Sequence, residues 1–173
     1  MIIDLVKGDA TIMHTPASNF DFANPPTDPA QLARDLFETM LEHKENSLSA
    51  PQCGIPYRVL VISANPGLAC FNPRIVDVST EQILLEERCA SFPHLFLNVK
   101  RPRRIKVRYT QANGETVTQV FDGLTSRLFQ HEVDHLDGIV YTEKANRVHL
   151  ERALRKKKEL DRIVKKAEAK GLA

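Results

Sequence analysis

The stretch His131-Glu132-Val133-Asp134-His135 decides how this chain folds. Two histidines four residues apart lie on the same face of a helix, about one turn apart, so both imidazoles can bind one metal ion. Glu132 follows the first histidine, and its carboxylate can reach a water in the open position of that ion. Apolar residues recur around the motif with helical spacing, at Leu124, Leu128, Phe129, Val133 and Leu136. We therefore expect a metal-binding helix over about 124–136 whose apolar side faces the core.

The rest of the chain separates strands from helices. Asp28 as N-cap and Pro29 at the first helical position predict a helix that runs to about Lys44. Runs rich in β-branched residues predict strands at 58–63, 69–78, 81–89, 104–110 and 115–121. Asn113-Gly114 predicts a hairpin between the last two strands, and a final helix is expected over about 146–169. This order predicts an α+β fold, with mixed or antiparallel sheets packed around the central metal-binding helix and with N-terminal and C-terminal helices.

Length and composition narrow the class of protein. A chain of 173 residues suits one domain over 1–173. It has neither the uninterrupted apolar run of a membrane span nor the basic start and apolar block of a signal peptide. Three cysteines are an odd and sparse set, which does not indicate a disulfide framework. We therefore expect a cytosolic protein without a membrane partner.

The charge of the chain is distributed unevenly. Of the 24 Lys/Arg and 22 Asp/Glu residues, ten and four lie from Arg147 onward, so this segment carries +6 and the rest carries −4. The basic helix expected over about 147–169 is either a solvated helix packed on a sheet or an electrostatic contact to RNA through the run Arg155–Lys158.

A catalytic site of this kind needs a third protein ligand besides the two histidines. Glu143 or Glu151 downstream would give the arrangement of a metallopeptidase. Cys89, at the end of a predicted strand, would supply a thiolate instead. The spacing alone leaves these alternatives open.

Two acidic residues near the ligands also have two interpretations. Glu87 and Asp134 either orient the ligands by hydrogen bonds or form ordinary surface ion pairs.

Three motifs, in order, resemble those of the peptide deformylases. Gln130 followed by His-Glu-Val-Asp-His-Leu-Asp-Gly at 131–138 resembles the third motif of that family. Glu-Arg-Cys-Ala-Ser at 87–91 resembles the second, which is normally Glu-Gly-Cys-Leu-Ser. Ser-Ala-Pro-Gln at 49–52 resembles the end of the first, Gly-x-Gly-x-Ala-Ala-Pro-Gln. The resemblance covers about residues 28–165.

The resemblance implies an enzyme that removes the N-formyl group from the N-terminal formylmethionine of nascent peptides. It implies one divalent metal ion per chain, natively Fe²⁺, with Zn²⁺ or Ni²⁺ able to replace it; a thiolate with two imidazoles suits such ions. The implied site residues are the ligands Cys89, His131 and His135, the general acid–base Glu132, the oxyanion donors Gln52 and the Ala90 backbone N–H, and the substrate contacts Ser47, Leu48, Arg88, Leu124 and Leu128. In this family the C-terminal helix can dock on the ribosome, whereas no DNA partner is expected.

Several residues of the first two motifs depart from the family pattern. Glu45 and Ser47 stand where the first motif has glycines, Arg88 replaces the glycine of the second motif, and Ala90 replaces its leucine. We expect Ser47 to narrow the approach of a substrate backbone. We expect Arg88 to line the methionine pocket or to bind a carboxylate such as Glu87. These departures leave open a deformylase-like protein that binds metal without turnover.

Overall fold

The computed structural model describes residues 1–170 and has the α+β fold expected from the sequence. Within these residues the α-helices are α1 (Pro29–Glu42), α2 (Gly123–Leu136) and α3 (Arg147–Glu168). The strands are β1 (Ser47–Ser49), β2 (Val59–Ile62), β3 (Leu68–Val78), β4 (Gln82–Glu87), β5 (Leu97–Pro102), β6 (Arg104–Thr110) and β7 (Thr116–Asp122). Short 3₁₀ helices span Thr11–His14, Ala50–Cys53 and Tyr141–Lys144.

The strands form two sheets in which every neighbouring pair is antiparallel. One sheet has the order β1-β2-β3-β6-β7, and the other is the pair β4-β5. The α2 helix contacts strands of both sheets, so the metal-binding motif lies at the centre of the fold, as expected. In the described part of the chain, no helix combines the length and the apolar character that crossing a membrane requires.

The local sequence explains most of these elements. Asp28 caps α1 by accepting hydrogen bonds from the backbone N–H groups of Ala30 and Gln31. The β6–β7 hairpin turns at the predicted position, where Gly114 has a φ of +87° that an L-residue rarely adopts. In α1, Leu32, Leu36 and Met40 are buried in the core, whereas Leu41 is 64% exposed.

Most of the α2 helix is buried, on its apolar and on its polar side, but Leu124 at its start is 63% exposed and does not face the core as expected. Phe129, Val133 and Leu136 pack in one core cluster with residues of the larger sheet. The polar residues between them are buried as well; they are Gln130, His131, Glu132, Asp134 and His135. Buried polar groups need partners or a ligand, so this face is where a functional site belongs.

Two strands and the surface of one helix differ from the sequence interpretation. The short strand β1 was not expected. The strand β5 was also not predicted. Its buried side chains are Leu97, Val99 and Arg101, and the charged Arg101 breaks the alternation of apolar and polar residues that indicates a strand. Arg101 is nevertheless only 3% exposed. The α3 helix has no fully buried residue, and its apolar residues Val148 and Leu154 are exposed. It contacts the core beside Tyr141 only through partly buried side chains such as Leu150.

Candidate metal centre and substrate cleft

Three buried side chains bring metal-binding atoms together. The α2 helix carries His131 and His135, and Cys89 lies two residues beyond the end of β4. The His135 Nε2 atom lies 3.3 Å from Cys89 Sγ and 3.2 Å from His131 Nε2. Bonds of about 2.0–2.3 Å to one tetrahedral ion place such atoms about 3.3–3.6 Å apart, so these residues fit a metal ion.

Glu143 and Glu151, the two alternative ligands, are not part of this cluster. Within the described residues, the group that can hold an ion consists of Cys89, His131 and His135. Glu143 accepts a hydrogen bond from the Val140 N–H, and Glu151 pairs with Arg147 on the surface. The arrangement of a metallopeptidase with a downstream glutamate is therefore not formed.

The carboxylate of Glu132 is held at one oxygen and free at the other. Ser47 Oγ donates a hydrogen bond of 2.7 Å to Glu132 Oε1. Glu132 Oε2 is buried and has no hydrogen-bond partner in the described residues. Burial raises the pKa of Glu132, against the opposing effects of the charge on His131 and of nearby hydroxyls. A raised pKa makes this carboxylate a stronger base, which suits a group that accepts a proton in catalysis.

Gln52 presents its amide nitrogen to the group formed by Cys89, His131 and His135. Its Oε1 atom accepts hydrogen bonds of 2.9 Å from both the N–H and the hydroxyl of Ser49, which fixes the orientation of the amide. Its Nε2 atom therefore faces Cys89 Sγ, at 3.4 Å. Ala90, directly after Cys89, lines the same cavity, and its backbone N–H has no partner in the described residues. Gln52 and Ala90 therefore both line the cavity that contains Cys89.

A cleft of about 250 Å³ leads from these residues to the surface. Four of the five predicted substrate contacts line it: Ser47, Arg88, Leu124 and Leu128. Leu48 does not, because alternation along β1 turns its side chain into the core, where it is fully buried. The expected substrate contact of Leu48 can therefore involve only its backbone.

Comparison with known proteins identifies the family of this fold and site. A family model described as polypeptide deformylase matches residues 2–151. The chain belongs to the polypeptide deformylase family.

Known peptide deformylases resemble this chain in sequence and in structure. The peptide deformylase of Thermotoga petrophila is 40% identical over 127 residues, which are 73% of this chain and 76% of the relative. The crystal structure of the Synechococcus elongatus peptide deformylase in complex with actinonin has a TM-score of 0.84 at 33% identity, over 90% of this chain and 85% of that one. The Met-Ala-Ser-bound Acinetobacter baumannii enzyme has a TM-score of 0.78 at 33% identity, over 83% of this chain and 98% of that one.

The enzyme class expected from the motifs is confirmed. The chain is a deformylase by its family and relatives, and the family's dependence on metal agrees with the buried cysteine and histidines. The other two alternatives, a metallopeptidase and a protein without turnover, are disfavoured.

The deformylase site rests on a buried ion network that sequence reasoning only partly found. Glu87 Oε2 lies 3.0 Å from His131 Nδ1, and a proton on Nδ1 leaves Nε2 free for a metal ion. Arg101 donates to both Glu87 oxygens at 2.6 and 2.9 Å, and Arg127 donates to one at 2.5 Å. Burial alone would raise the pKa of Glu87, but hydrogen bonds from His131 and Arg101 lower it to about 2.

Arg101 also joins Asp134 to this network. Arg101 Nη1 donates to Asp134 at 2.7 Å, and Lys144 pairs with the other Asp134 oxygen at 2.9 Å. Glu87 and Asp134 therefore form a buried network beside the ligands rather than a surface ion pair. Arg101 and Arg127 were not expected, because an isolated arginine in a strand or helix normally indicates a solvent-exposed position.

Two of the departures from the family pattern contact each other at the cleft. Arg88 Nη2 lies 3.6 Å from Glu45 Oε2 and also donates to the backbone oxygen of Lys44 at 3.3 Å. Arg88 therefore binds the carboxylate of Glu45, not that of Glu87. Burial raises the pKa of Glu45, and the charge of Arg88 opposes that rise. The pair links the segment before β1 to the segment after β4.

Proposed function

We propose that this deformylase acts through a mononuclear metal site with Cys89, His131 and His135 as ligands and Glu132 as general acid–base. The observation that supports this assignment is the convergence of three buried donor atoms next to a buried carboxylate whose Oε2 has no partner. The thiolate cancels one positive charge of a divalent ion and, with two imidazoles, suits Fe²⁺, Zn²⁺ or Ni²⁺. We propose Fe²⁺ as the native ion.

The chain's own groups account for each proton and charge in the reaction. A bound ion would supply Lewis acidity and lower the pKa of a water toward neutrality. Glu132 takes a proton from that water as its oxygen adds to the formyl carbon. The Gln52 amide and the Ala90 N–H donate to the carbonyl oxygen, where negative charge develops. Glu132 then returns the proton to the amine nitrogen as the C–N bond breaks. This releases a peptide with a free N-terminus and formic acid, which loses its remaining acidic proton to solvent and leaves as formate.

The substrate would lie between two unpaired strand edges. β1 is an edge strand of the larger sheet, and β4 pairs on one side only, with β5. The cleft lies between Ser47 of β1 and the end of β4 at Glu86 and Glu87. An extended peptide backbone can hydrogen-bond to such edges, while the methionine side chain packs against Leu124 and Leu128. The Met-Ala-Ser-bound relative supports a methionyl peptide as the product.

We also propose that α3 can bind the ribosome. The segment from Arg147 onward carries +6, and α3 has no fully buried residue, so its basic face is available to a polyanion.

Product analysis tests this function directly. Protein purified without oxygen and loaded with Fe²⁺ is incubated with formyl-Met-Ala-Ser, and the products are identified by mass spectrometry. We expect Met-Ala-Ser and formate in equal amounts, with no cleavage between methionine and alanine. Cleavage of a peptide bond, or no turnover with one metal bound per chain, would refute the proposal. Parallel samples loaded with Zn²⁺ and Ni²⁺ test the preference for iron.

A further inference from the structure

The contact between Ser47 and Glu132 is a feature of this chain's own sequence. The first motif of the family has glycine where Ser47 stands, and glycine offers no hydroxyl. Here the Ser47 Oγ atom reaches Glu132 Oε1 at 2.7 Å, across 85 positions of sequence. Ser47 is 9% exposed and Glu132 is 2% exposed, so water competes little for this hydrogen bond.

The hydrogen bond from Ser47 decides which carboxylate oxygen of Glu132 is available to accept a proton. The terminal torsion of a glutamate is broad and roughly two-fold, so an unheld carboxylate samples several orientations. The hydroxyl of Ser47 fixes Oε1, and Oε2 is the oxygen left without a partner among the described residues. The two residues line the same cleft as the metal-binding cysteine.

The geometry of β1 explains why this hydroxyl is in place. Successive side chains of a strand point to opposite faces, so Ser47 and Ser49 share one face and Leu48 points into the core. Ser49 holds the Gln52 amide, while Ser47 holds Glu132. One strand thus fixes two of the groups that the proposed reaction uses, Gln52 and Glu132.

We propose that Ser47 is a positioning residue for deformylation: its hydroxyl holds Oε1 of Glu132 so that Oε2 faces the reacting water. This inference rests on the proposed role of Glu132 as general acid–base. In this scheme the substrate pairs with the backbone of β1, while the Ser47 hydroxyl is bound to Glu132 and touches neither the substrate nor the reacting atoms. Its removal therefore changes the rate of the chemical step rather than substrate affinity. A misplacement of about 1 Å in a catalytic group costs about 100-fold in rate, and partial loss of orientation is expected to cost about tenfold.

The test compares Ser47→Ala, Ser47→Gly and Ser47→Thr with wild type on formyl-Met-Ala-Ser. We expect kcat to fall about tenfold in the alanine and glycine variants, with KM within twofold of wild type. The threonine variant keeps a hydroxyl and should recover most of kcat. Ser126→Ala removes a buried hydroxyl from α2, the helix that carries Glu132, and should leave kcat within twofold of wild type. Metal content and thermal melting are measured on every variant.

The outcomes separate the two proposals. An unchanged kcat in Ser47→Ala, a change confined to KM, or a threonine variant as slow as the alanine variant would overturn the positioning role while the wild type still deformylates. A wild type that holds metal but releases no formate would instead overturn the proposed function itself, and the role of Ser47 with it.

Discussion

Replacing Glu87 with glutamine should destabilise the protein strongly, because four donor contacts converge on this one carboxylate. Arg101 makes two of them at 2.6 and 2.9 Å, Arg127 makes one at 2.5 Å, and His131 lies at 3.0 Å. A glutamine of the same shape has one acceptor oxygen, and its NH₂ group would face donors of buried arginines. Breaking a buried ion pair by removing one partner costs about 3–5 kcal/mol.

The low pKa of Glu87 gives an independent magnitude. Its pKa is lowered from an ordinary 4.5 to about 2. A difference of this size corresponds to about 3 kcal/mol of stability. A carboxyl group with a depressed pKa in the folded state contributes this stability fully above pH 4.5, and the contribution is lost as the pH falls toward 2. The two routes agree on the order of magnitude.

Urea unfolding of the metal-free protein measures this effect. We expect Glu87→Gln to lower the free energy of unfolding by about 3–5 kcal/mol at pH 7. For a chain of this size that is a fall of roughly 6–20 °C in Tm. The loss of stability between pH 4.5 and 2 should also become shallower in the variant.

A surface pair provides the matched control. Glu81 pairs with Arg103 at 3.2 Å, and their side chains are 61% and 48% exposed. Glu81→Gln should change stability by about 0–1 kcal/mol, since solvent screens exposed ion pairs. A free energy of unfolding of Glu87→Gln within about 1 kcal/mol of the wild-type value would contradict a stabilising role of this network.

Three further predictions concern the metal, the cleft and the last helix. Cys89→Ala removes one of three ligands, so metal affinity in a chelator competition should fall at least about 100-fold; an unchanged metal content would contradict its role. Arg88→Gly leaves the partly buried Glu45 carboxylate unpaired, so this variant should raise KM more than the Glu45→Gly/Arg88→Gly double variant does. If the effects of the two substitutions on KM are additive in this double-mutant cycle, Arg88 and Glu45 are not coupled. Reversing the charge of Lys156 and Lys166 on α3 should weaken co-sedimentation of the protein with ribosomes and reduce the salt dependence of that binding. Turnover of formyl-Met-Ala-Ser should stay unchanged. Unaltered co-sedimentation would make α3 a purely structural helix.

The sequence predicted the α2 helix, the start of α1 and the β6–β7 hairpin because all three follow from local rules. The spacing of the two histidines, the cap at Asp28 and the turn at Asn113-Gly114 act within a few residues of themselves. The third ligand was different. Spacing left Cys89 and the downstream glutamates open, and only the order of three motifs favoured the cysteine.

Long-range contacts account for what the sequence did not predict. Arg101 can be buried because it donates hydrogen bonds to Glu87 of β4 and Asp134 of α2. No local sequence pattern reveals these contacts. The hydrogen bond from Ser47 to Glu132 likewise depends on β1 packing beside α2. Leu48 was assigned to the cleft by its place in a motif, whereas strand alternation places it in the core.

Formate release by Glu132→Ala, with the bound metal counted in the same sample, tests the central claim most directly. The variant loses the proton carrier but no ligand, so it should keep one Fe²⁺ per chain. Its formate release from formyl-Met-Ala-Ser should fall by at least about 100-fold, the usual contribution of a general acid–base. A variant that retains its metal and deformylates within tenfold of wild type would contradict the role of Glu132 and the mechanism built on it.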